Sequence, residues 1–168
     1  MPKISRQHPI RDREKKVFLA HFSETLGLNA ERLFGPKPEI EVIEMQNREI
    51  YIINDVPLLF KIGEEMVPTL FFNEMISLLP KITVNMGAVP YVCNGADVMA
   101  PGIVKIKGDF KDKSLVVVLD EKHEKTIAIC RSLFDSKTIG MLKQGKALKN
   151  LHYVGDEIWK LIKNLAKN

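Results

Sequence analysis

Three glycines and two prolines fall within the seventeen residues GAVPYVCNGADVMAPGI, from Gly87 to Ile103. Glycine adopts backbone conformations that other residues avoid, and proline interrupts helices and sheets. No long helix or strand can therefore run through this segment, and the chain around it must fold from short elements. The segment also allows another molecule to approach the main chain closely, because few side chains stand in the way.

The residues from position 81 onward alternate between short β-rich runs and small helical patterns. Strands are predicted at 81–84, 103–107, 115–119, 126–130 and 151–154, and a polar hairpin turn at 120–125. A two-turn helix begins near Pro90 with Gly95 as its C-terminal cap, and Asp135 and Asp156 are predicted to cap helices over 136–144 and from about 157 to the C-terminus. Many short strands with small helices are typical of a compact, partly closed β-barrel.

The first half of the chain has a different pattern. Helical spacing predicts an amphipathic helix over 11–26, β-rich runs occupy 39–45, 49–54 and 57–63, and a second helix is expected over 69–79, ended by Pro80. The glutamates at 39, 41 and 44 are expected on a solvated face or an edge strand. The fold class is therefore α+β, with a small N-terminal α+β domain over 1–82 and a β-barrel domain over 83–168.

Composition and charge narrow the class of protein. No run of about 18 apolar residues is present, and the charged start predicts no secretory signal, so we expect a cytoplasmic protein without a membrane partner. Cys93 and Cys130 are isolated from each other and from histidines, which predicts reduced thiols and no metal or other cofactor. The net charge is −1 through Ile82 (11 Lys+Arg, 12 Asp+Glu) and +5 from Thr83 onward (14 and 9), which favours a polyanionic partner for the second half.

The glycine-rich segment supplies the candidate binding surface. Gly95 is predicted to be left-handed and to leave backbone N–H groups facing outward, while Met99, Ala100 and Pro101 would form a small apolar platform for a base or ribose. Lys105 and Lys107 alternate with apolar residues and should share one face of a strand. Equally, Gly95 could be only a helix cap, Met99 only a core residue, and each cation merely solvated. His152, Tyr153 and Trp159 are expected to be structural, the last as a core anchor.

Several motifs resemble those of the PUA domain, a small RNA-binding pseudobarrel named after pseudouridine synthases and archaeosine transglycosylases. They are Gly87-Ala88, Gly95-Ala96, Val98-Met99, Pro101-Gly102-Ile103, GDF (108–110), VVVLD (116–120) and IAI (127–129). Together with LLF (58–60), PTL (68–70) and LHYVGDEIW (151–159), they resemble the translation-factor family of the malignant T-cell-amplified-sequence protein and ligatin. Asn85 departs from the aspartate usual in that family, and Cys130 from a glycine found in many PUA domains.

The resemblance implies an N-terminal pre-PUA domain followed by a PUA domain that binds tRNA, near its acceptor end, or rRNA in translation. The small ribosomal subunit and a translation-factor protein are the expected partners. The candidate RNA-binding residues are Gly95, Ala96, Met99, Pro101, Gly102, Lys105, Lys107, Arg131, Lys143 and Lys146. The sequence contains no nucleotide-binding glycine motif, nucleophile elbow or HExxH, so we expect no enzymatic activity. The alternative is an accessory subunit that presents RNA to a modification enzyme.

Overall fold

The computed structural model of the protein describes residues 4–167, so the first three residues of the charged N-terminal segment lie outside the described residues. The chain divides into two compact units, the first ending at Phe71 and the second starting at Phe72. In the part of the chain described, no helix is both long and apolar enough to cross a membrane.

The first unit is a five-stranded antiparallel sheet accompanied by two helices. Its elements are β1 (Ile4–Pro9), α1 (Asp12–Leu26), α2 (Ala30–Phe34), β2 (Ile40–Met45), β3 (Arg48–Ile53), β4 (Val56–Ile62) and β5 (Glu65–Pro68). The strands pair in sequence order, β1-β2-β3-β4-β5. Phe18 and Phe22 are the buried residues of α1, and the Phe18 ring stacks on Tyr51 at a centroid distance of 4.3 Å. The predicted helix and three strands are thus confirmed.

Two strands of this unit, β1 and β5, have no apolar alternation that could have revealed them. β1 is almost wholly exposed and forms only because its backbone pairs with β2. This pairing places β2 inside the sheet, so the expectation of an edge strand there is wrong. Glu39 is solvent-exposed, as expected for a solvated face, whereas Glu41 and Glu44 are half-buried. The helix expected over 69–79 begins only at Asn73. Thr69 is instead buried, and its hydroxyl donates a hydrogen bond to the Pro57 carbonyl.

The second unit is built on a six-stranded sheet. Its elements are α3 (Asn73–Leu78), β6 (Lys81–Val84), α4 (Val89–Val92), β7 (Val98–Met99), a 3₁₀ turn (Ala100–Gly102), β8 (Ile103–Lys107), β9 (Leu115–Asp120), β10 (Thr126–Ser132), α5 (Ser136–Met141), β11 (Lys146–Tyr153) and α6 (Glu157–Ala166). The strand order is β7-β11-β10-β9-β6-β8, with β6 and β9 parallel. The domain boundary expected between residues 82 and 83 thus falls inside β6, which pairs with β8 and β9 of the second unit.

The sheet of the second unit is forced to curl. β7 and β8 are its two outermost strands, yet only the three residues Ala100–Gly102 join them. A link from Met99 to Ile103 spans at most about 14 Å, whereas the edges of a flat six-stranded sheet lie about 24 Å apart. The two edges must therefore approach each other, which produces the expected partly closed barrel. Its interior is apolar, and among the buried residues are Ile82, Val98, Val116, Cys130 and Leu148.

The helices of this unit differ from the prediction mainly at their ends. α4 is a single turn capped by Cys93, not a two-turn helix capped by Gly95. α5 stops at Met141, and β11 begins at Lys146, five residues before the predicted strand. The Asp135 and Asp156 caps are confirmed, since their carboxylates accept hydrogen bonds from the backbone N–H groups of Thr138 and Trp159.

The last helix buries aliphatic residues, not its tryptophan. Ile158, Leu161 and Ile162 are the buried residues of α6. Trp159 is only half-buried, and the Lys163 ammonium lies 5.3 Å from the centre of its ring. The prediction of Trp159 as a core anchor is therefore wrong. The ring lies at the boundary between core and solvent.

Candidate nucleic-acid interface

The glycine-rich segment is anchored by Asn85 at its start. The Asn85 backbone N–H donates a hydrogen bond to the Gly102 carbonyl at 2.8 Å, and the Asn85 side-chain oxygen accepts one from the Ala88 N–H at 2.9 Å. Glu121 also accepts a hydrogen bond from the Met86 N–H at 3.0 Å. An asparagine oxygen accepts this hydrogen bond as an aspartate would, so the departure at position 85 is compatible with the turn.

Gly95 is left-handed as predicted, and the position leaves little room for a side chain. Its φ is +97°, and a Cβ there would lie 3.2 Å from the Tyr153 hydroxyl oxygen. The backbone N–H groups at this bend are already used, however. Those of Asn94 and Ala96 donate to the Tyr91 carbonyl, and that of Gly95 donates to the Val92 carbonyl. The expectation that these N–H groups face outward is therefore wrong, and other groups would have to bind a ligand.

Asn150 on β11 clamps the bend to the sheet. Its side-chain amide donates hydrogen bonds to the Val92 and Ala96 carbonyls, both at 3.0 Å. Its backbone N–H donates to Asp97 Oδ1 at 2.9 Å. Three hydrogen bonds from one residue of a strand thus hold the segment from α4 to β7 in place against the sheet.

The segment encloses an open pocket of about 560 Å³. Its lining residues are Ala88, Tyr91, Val92, Gly95, Ala96, Asp97, Val98, Met99, Gly102 and Lys146. Two large side chains in this lining are accessible: Tyr91 is 71% exposed and Met99 is 45% exposed. An accessible aromatic ring beside a flexible thioether can stack on a flat group such as a nucleobase.

The charged side chains that line the pocket are Asp97 and Lys146, which form an ion pair. Lys146 lies opposite Met99 in the pairing of β11 with β7. Its ammonium lies 3.3 Å from Asp97 Oδ2. Lys146 therefore reaches the pocket because β11 begins five residues earlier than predicted.

The structure brings together half of the sequence-predicted residues. Gly95, Ala96, Met99, Gly102 and Lys146 line the pocket. Pro101 is exposed beside them. Ala100, however, is 7% exposed and its N–H donates to the Gly145 carbonyl, so the predicted apolar platform does not include it.

The two lysines of β8 form a separate exposed surface. Lys105 and Lys107 are exposed while Ile106 between them packs against the core, as predicted. Val104, expected on the buried face with Ile106, is instead 51% exposed, so the alternation holds only in part. Neither lysine lines the pocket. Lys81 is paired with Lys107 across the strands, but its ammonium donates to the carbonyls of Ile76, Ser77 and Leu79. Burial and the charge of Lys107 lower the pKa of Lys81.

The remaining two predicted cations lie elsewhere. The half-buried Arg131 uses its guanidinium to donate a hydrogen bond to the Lys113 carbonyl at 2.8 Å. This contact ties β10 to the connection between β8 and β9, which is a structural role. Lys143 is exposed in the connection between α5 and β11. Neither residue lines the pocket.

Sequence reasoning missed Tyr91 and Asp97. Tyr91 follows Pro90 within the glycine-rich segment, and an aromatic residue in a segment built for close approach is a stacking candidate. That pattern could have identified Tyr91. Asp97 carries no such pattern, because only its pairing with Lys146, 49 positions later, gives it a place in the pocket.

His152 and the two cysteines contribute to the core and not to a reactive site. His152 is fully buried, and its Nδ1 donates to Asp156 Oδ2 at 2.7 Å, which confirms the structural role. Burial raises the pKa of both Cys93 and Cys130, so both thiols are held in the unreactive protonated form. In residues 4–167 no group of three histidine, cysteine or acidic side chains is arranged to hold a metal ion.

Comparison with known proteins identifies the class of both units. The family model of the PUA domain, an RNA-binding fold, matches residues 80–154. A domain of unknown function (DUF1947) matches residues 6–73. The first unit is thus a DUF1947 domain and the second a PUA domain.

Relatives that match most of the chain extend the similarity. An uncharacterized protein of Methanocaldococcus jannaschii is 37% identical over 134 residues, covering 78% of this chain and 82% of that protein. Translation machinery-associated protein 20 of Eremothecium gossypii is 28% identical over 137 residues, covering 77% and 76%. The crystal structure of a hypothetical protein from Pyrococcus horikoshii aligns with a TM-score of 0.76 at 30% identity, covering 94% of this chain and 99% of that one. The chain belongs to the PUA-domain family of the malignant T-cell-amplified-sequence proteins.

Proposed function

We propose that this protein is a non-catalytic RNA-binding protein of translation whose PUA unit holds a single-stranded RNA end, at the acceptor end of tRNA or in rRNA. The observation that carries the proposal is the pocket of the second unit, which the accessible Tyr91 ring, Met99 and Lys146 line together. Support from relatives comes from the translation machinery-associated protein.

The pocket suits a nucleoside better than a phosphate chain. Apart from the Tyr91 hydroxyl, the Asp97–Lys146 pair supplies the only polar side-chain groups of its lining, and the bend's N–H groups at 94–96 are occupied. Stacking of one base on an aromatic ring contributes about 1–3 kcal/mol. A splayed terminal nucleotide offers such a base without the cost of opening a duplex.

Phosphates would be bound outside the pocket. Lys105 and Lys107 on β8, with Lys146 and the exposed Lys143, are the candidates for this contact. Four neutralised phosphates on a single strand correspond to a slope of log K against log salt near about −3. Binding of this kind is moderate in affinity, so a second contact through the DUF1947 unit, to the small ribosomal subunit or a translation-factor partner, would complete the interaction.

The pocket is tested by removing the Tyr91 ring. We expect Tyr91→Ala to weaken binding of a fluorescent single-stranded RNA about tenfold or more, as measured by anisotropy, because the base loses its stacking surface. Phe134→Ala is the matched control, since Phe134 is 39% exposed in the same unit but does not line the pocket. Equal affinities for all three proteins would refute the pocket as the RNA site.

The role in translation has its own test. Tagged protein is sedimented with purified small ribosomal subunits, with and without deacylated tRNA. We expect co-sedimentation that Tyr91→Ala weakens. Failure to sediment, together with capture of an RNA-modifying enzyme by the intact protein, would overturn the proposal in favour of an RNA-presenting accessory subunit.

A further inference from the structure

The pocket of the PUA unit combines a fixed carboxylate with a movable ammonium group. Asp97 is 28% exposed, and its Oδ1 is held by the Asn150 backbone N–H at 2.9 Å. Lys146 is 63% exposed, and its ammonium reaches Asp97 Oδ2 at 3.3 Å from a long side chain. An exposed lysine ion pair contributes little stability, so the lysine can leave at little cost while the aspartate stays.

No other formal charge lies in the lining of this pocket. The remaining lining residues are alanines, glycines, valines, Tyr91 and Met99. The pocket is therefore neutral while Lys146 is paired. It becomes negative as soon as the ammonium turns to a phosphate outside.

A carboxylate in a fixed position can distinguish an RNA 3′ end that has free hydroxyl groups from one that carries a phosphate. A carboxylate only accepts hydrogen bonds, so it stabilises hydroxyl groups and repels anions. An unphosphorylated terminal ribose offers two hydroxyl donors, whereas a terminal phosphate brings a charge of about −1.5 to −2. Like charges a few ångströms apart near a protein surface cost enough to shift an equilibrium about tenfold.

We propose that Asp97 makes the pocket selective for an RNA strand whose 3′ end is unphosphorylated, with Lys146 turning to the preceding internucleotide phosphate. Asp97 accepts hydrogen bonds from the terminal hydroxyls and rejects a terminal phosphate. This inference rests on the proposed function, binding of a single-stranded RNA end.

The test compares two RNA oligonucleotides of identical sequence that carry a 5′ fluorophore and end in a 3′ hydroxyl or a 3′ phosphate. Anisotropy titrations with the intact chain should show about tenfold tighter binding of the hydroxyl form. Asp97→Asn should reduce this ratio below about twofold, because the amide keeps the shape and the acceptor for Asn150 but loses the charge. Asp112→Asn, at an exposed position outside the pocket, makes the same charge change and should keep the ratio.

Lys146→Gln separates selectivity from a structural role of the ion pair. Removing the ammonium leaves the Asp97 charge without its partner, so the ratio should rise by about threefold while both oligonucleotides bind more weakly. If the ion pair were merely structural, Asp97→Asn and Lys146→Gln would change the ratio of the two affinities in the same direction. The rise of the ratio in Lys146→Gln tests the role of the Asp97 charge even if Asp97→Asn fails to fold.

The possible outcomes separate the two proposals. Equal, salt-dependent binding of both oligonucleotides by the unaltered chain would overturn selectivity and leave RNA binding standing. An unchanged ratio in Asp97→Asn would overturn the role of Asp97. Binding of neither oligonucleotide would overturn both.

Discussion

Replacement of Gly95 by alanine tests whether the bend of the PUA pocket depends on one glycine. The added methyl group meets two obstacles. It is attached to a backbone with φ +97°, and it lies 3.2 Å from the Tyr153 hydroxyl oxygen and 3.3 Å from a ring carbon. A left-handed conformation costs a non-glycine residue about 1–2 kcal/mol. Displacing a packed ring adds about 1–3 kcal/mol.

Gly145 provides a matched control for the backbone cost. Its φ is +92°, but no heavy atom lies within 4 Å of a Cβ built there. Gly145→Ala should therefore lower the free energy of unfolding by about 1–2 kcal/mol, and Gly95→Ala by about 2–5 kcal/mol. The difference measures the contact with Tyr153 alone.

Urea denaturation followed by tryptophan fluorescence measures both variants. Trp159 is the only tryptophan in the chain and lies on α6, so its emission reports on the second unit. In a Tyr153→Ala background the two glycine substitutions should cost the same, because the ring is gone. Equal costs in the unaltered background would refute the claim that close packing, and not only the backbone angle, requires Gly95.

Three further predictions concern charged groups of the second unit. Asp156→Ala should lower the free energy of unfolding by about 2–4 kcal/mol in urea titrations, because the helix loses its cap and buried His152 its acceptor; a cost below about 1 kcal/mol would contradict this. Burial alone would raise the pKa of Asp156, but hydrogen bonding to His152 and to backbone N–H groups lowers it. The stability that Asp156 contributes is therefore present above about pH 4 and is lost as the pH falls through the lower folded pKa. The difference between the pH–stability curves of the unaltered protein and Asp156→Ala should show this loss. Lys105→Glu with Lys107→Glu should weaken RNA binding and flatten its salt dependence by about one unit or more of slope at unchanged thermal stability, and an unaltered slope would reject the β8 surface. Arg131→Met should lower the melting temperature and leave the salt slope unchanged, since its guanidinium binds the Lys113 carbonyl; a flatter slope would restore Arg131 to the RNA-binding surface.

Local patterns predicted most elements of the second unit correctly. The exposure of Lys105 and Lys107, the caps at Asp135 and Asp156 and the left-handed Gly95 depend on neighbours within a few positions, so the sequence shows them directly. β1 escaped prediction because its residues are exposed, and its formation depends on backbone pairing with β2. Backbone hydrogen bonds leave no pattern in side-chain hydrophobicity.

The sequence by itself determined where the chain must bend, where most of the strands and helices lie, and that the second half carries the positive charge. Only the tertiary structure decided which residues share the pocket. β7 pairs with β11, and this pairing brings Asp97 to Lys146 and the Tyr153 ring beneath Gly95. Such neighbours are about fifty residues apart in the chain, and their proximity follows from strand order and barrel closure, which no local spacing records.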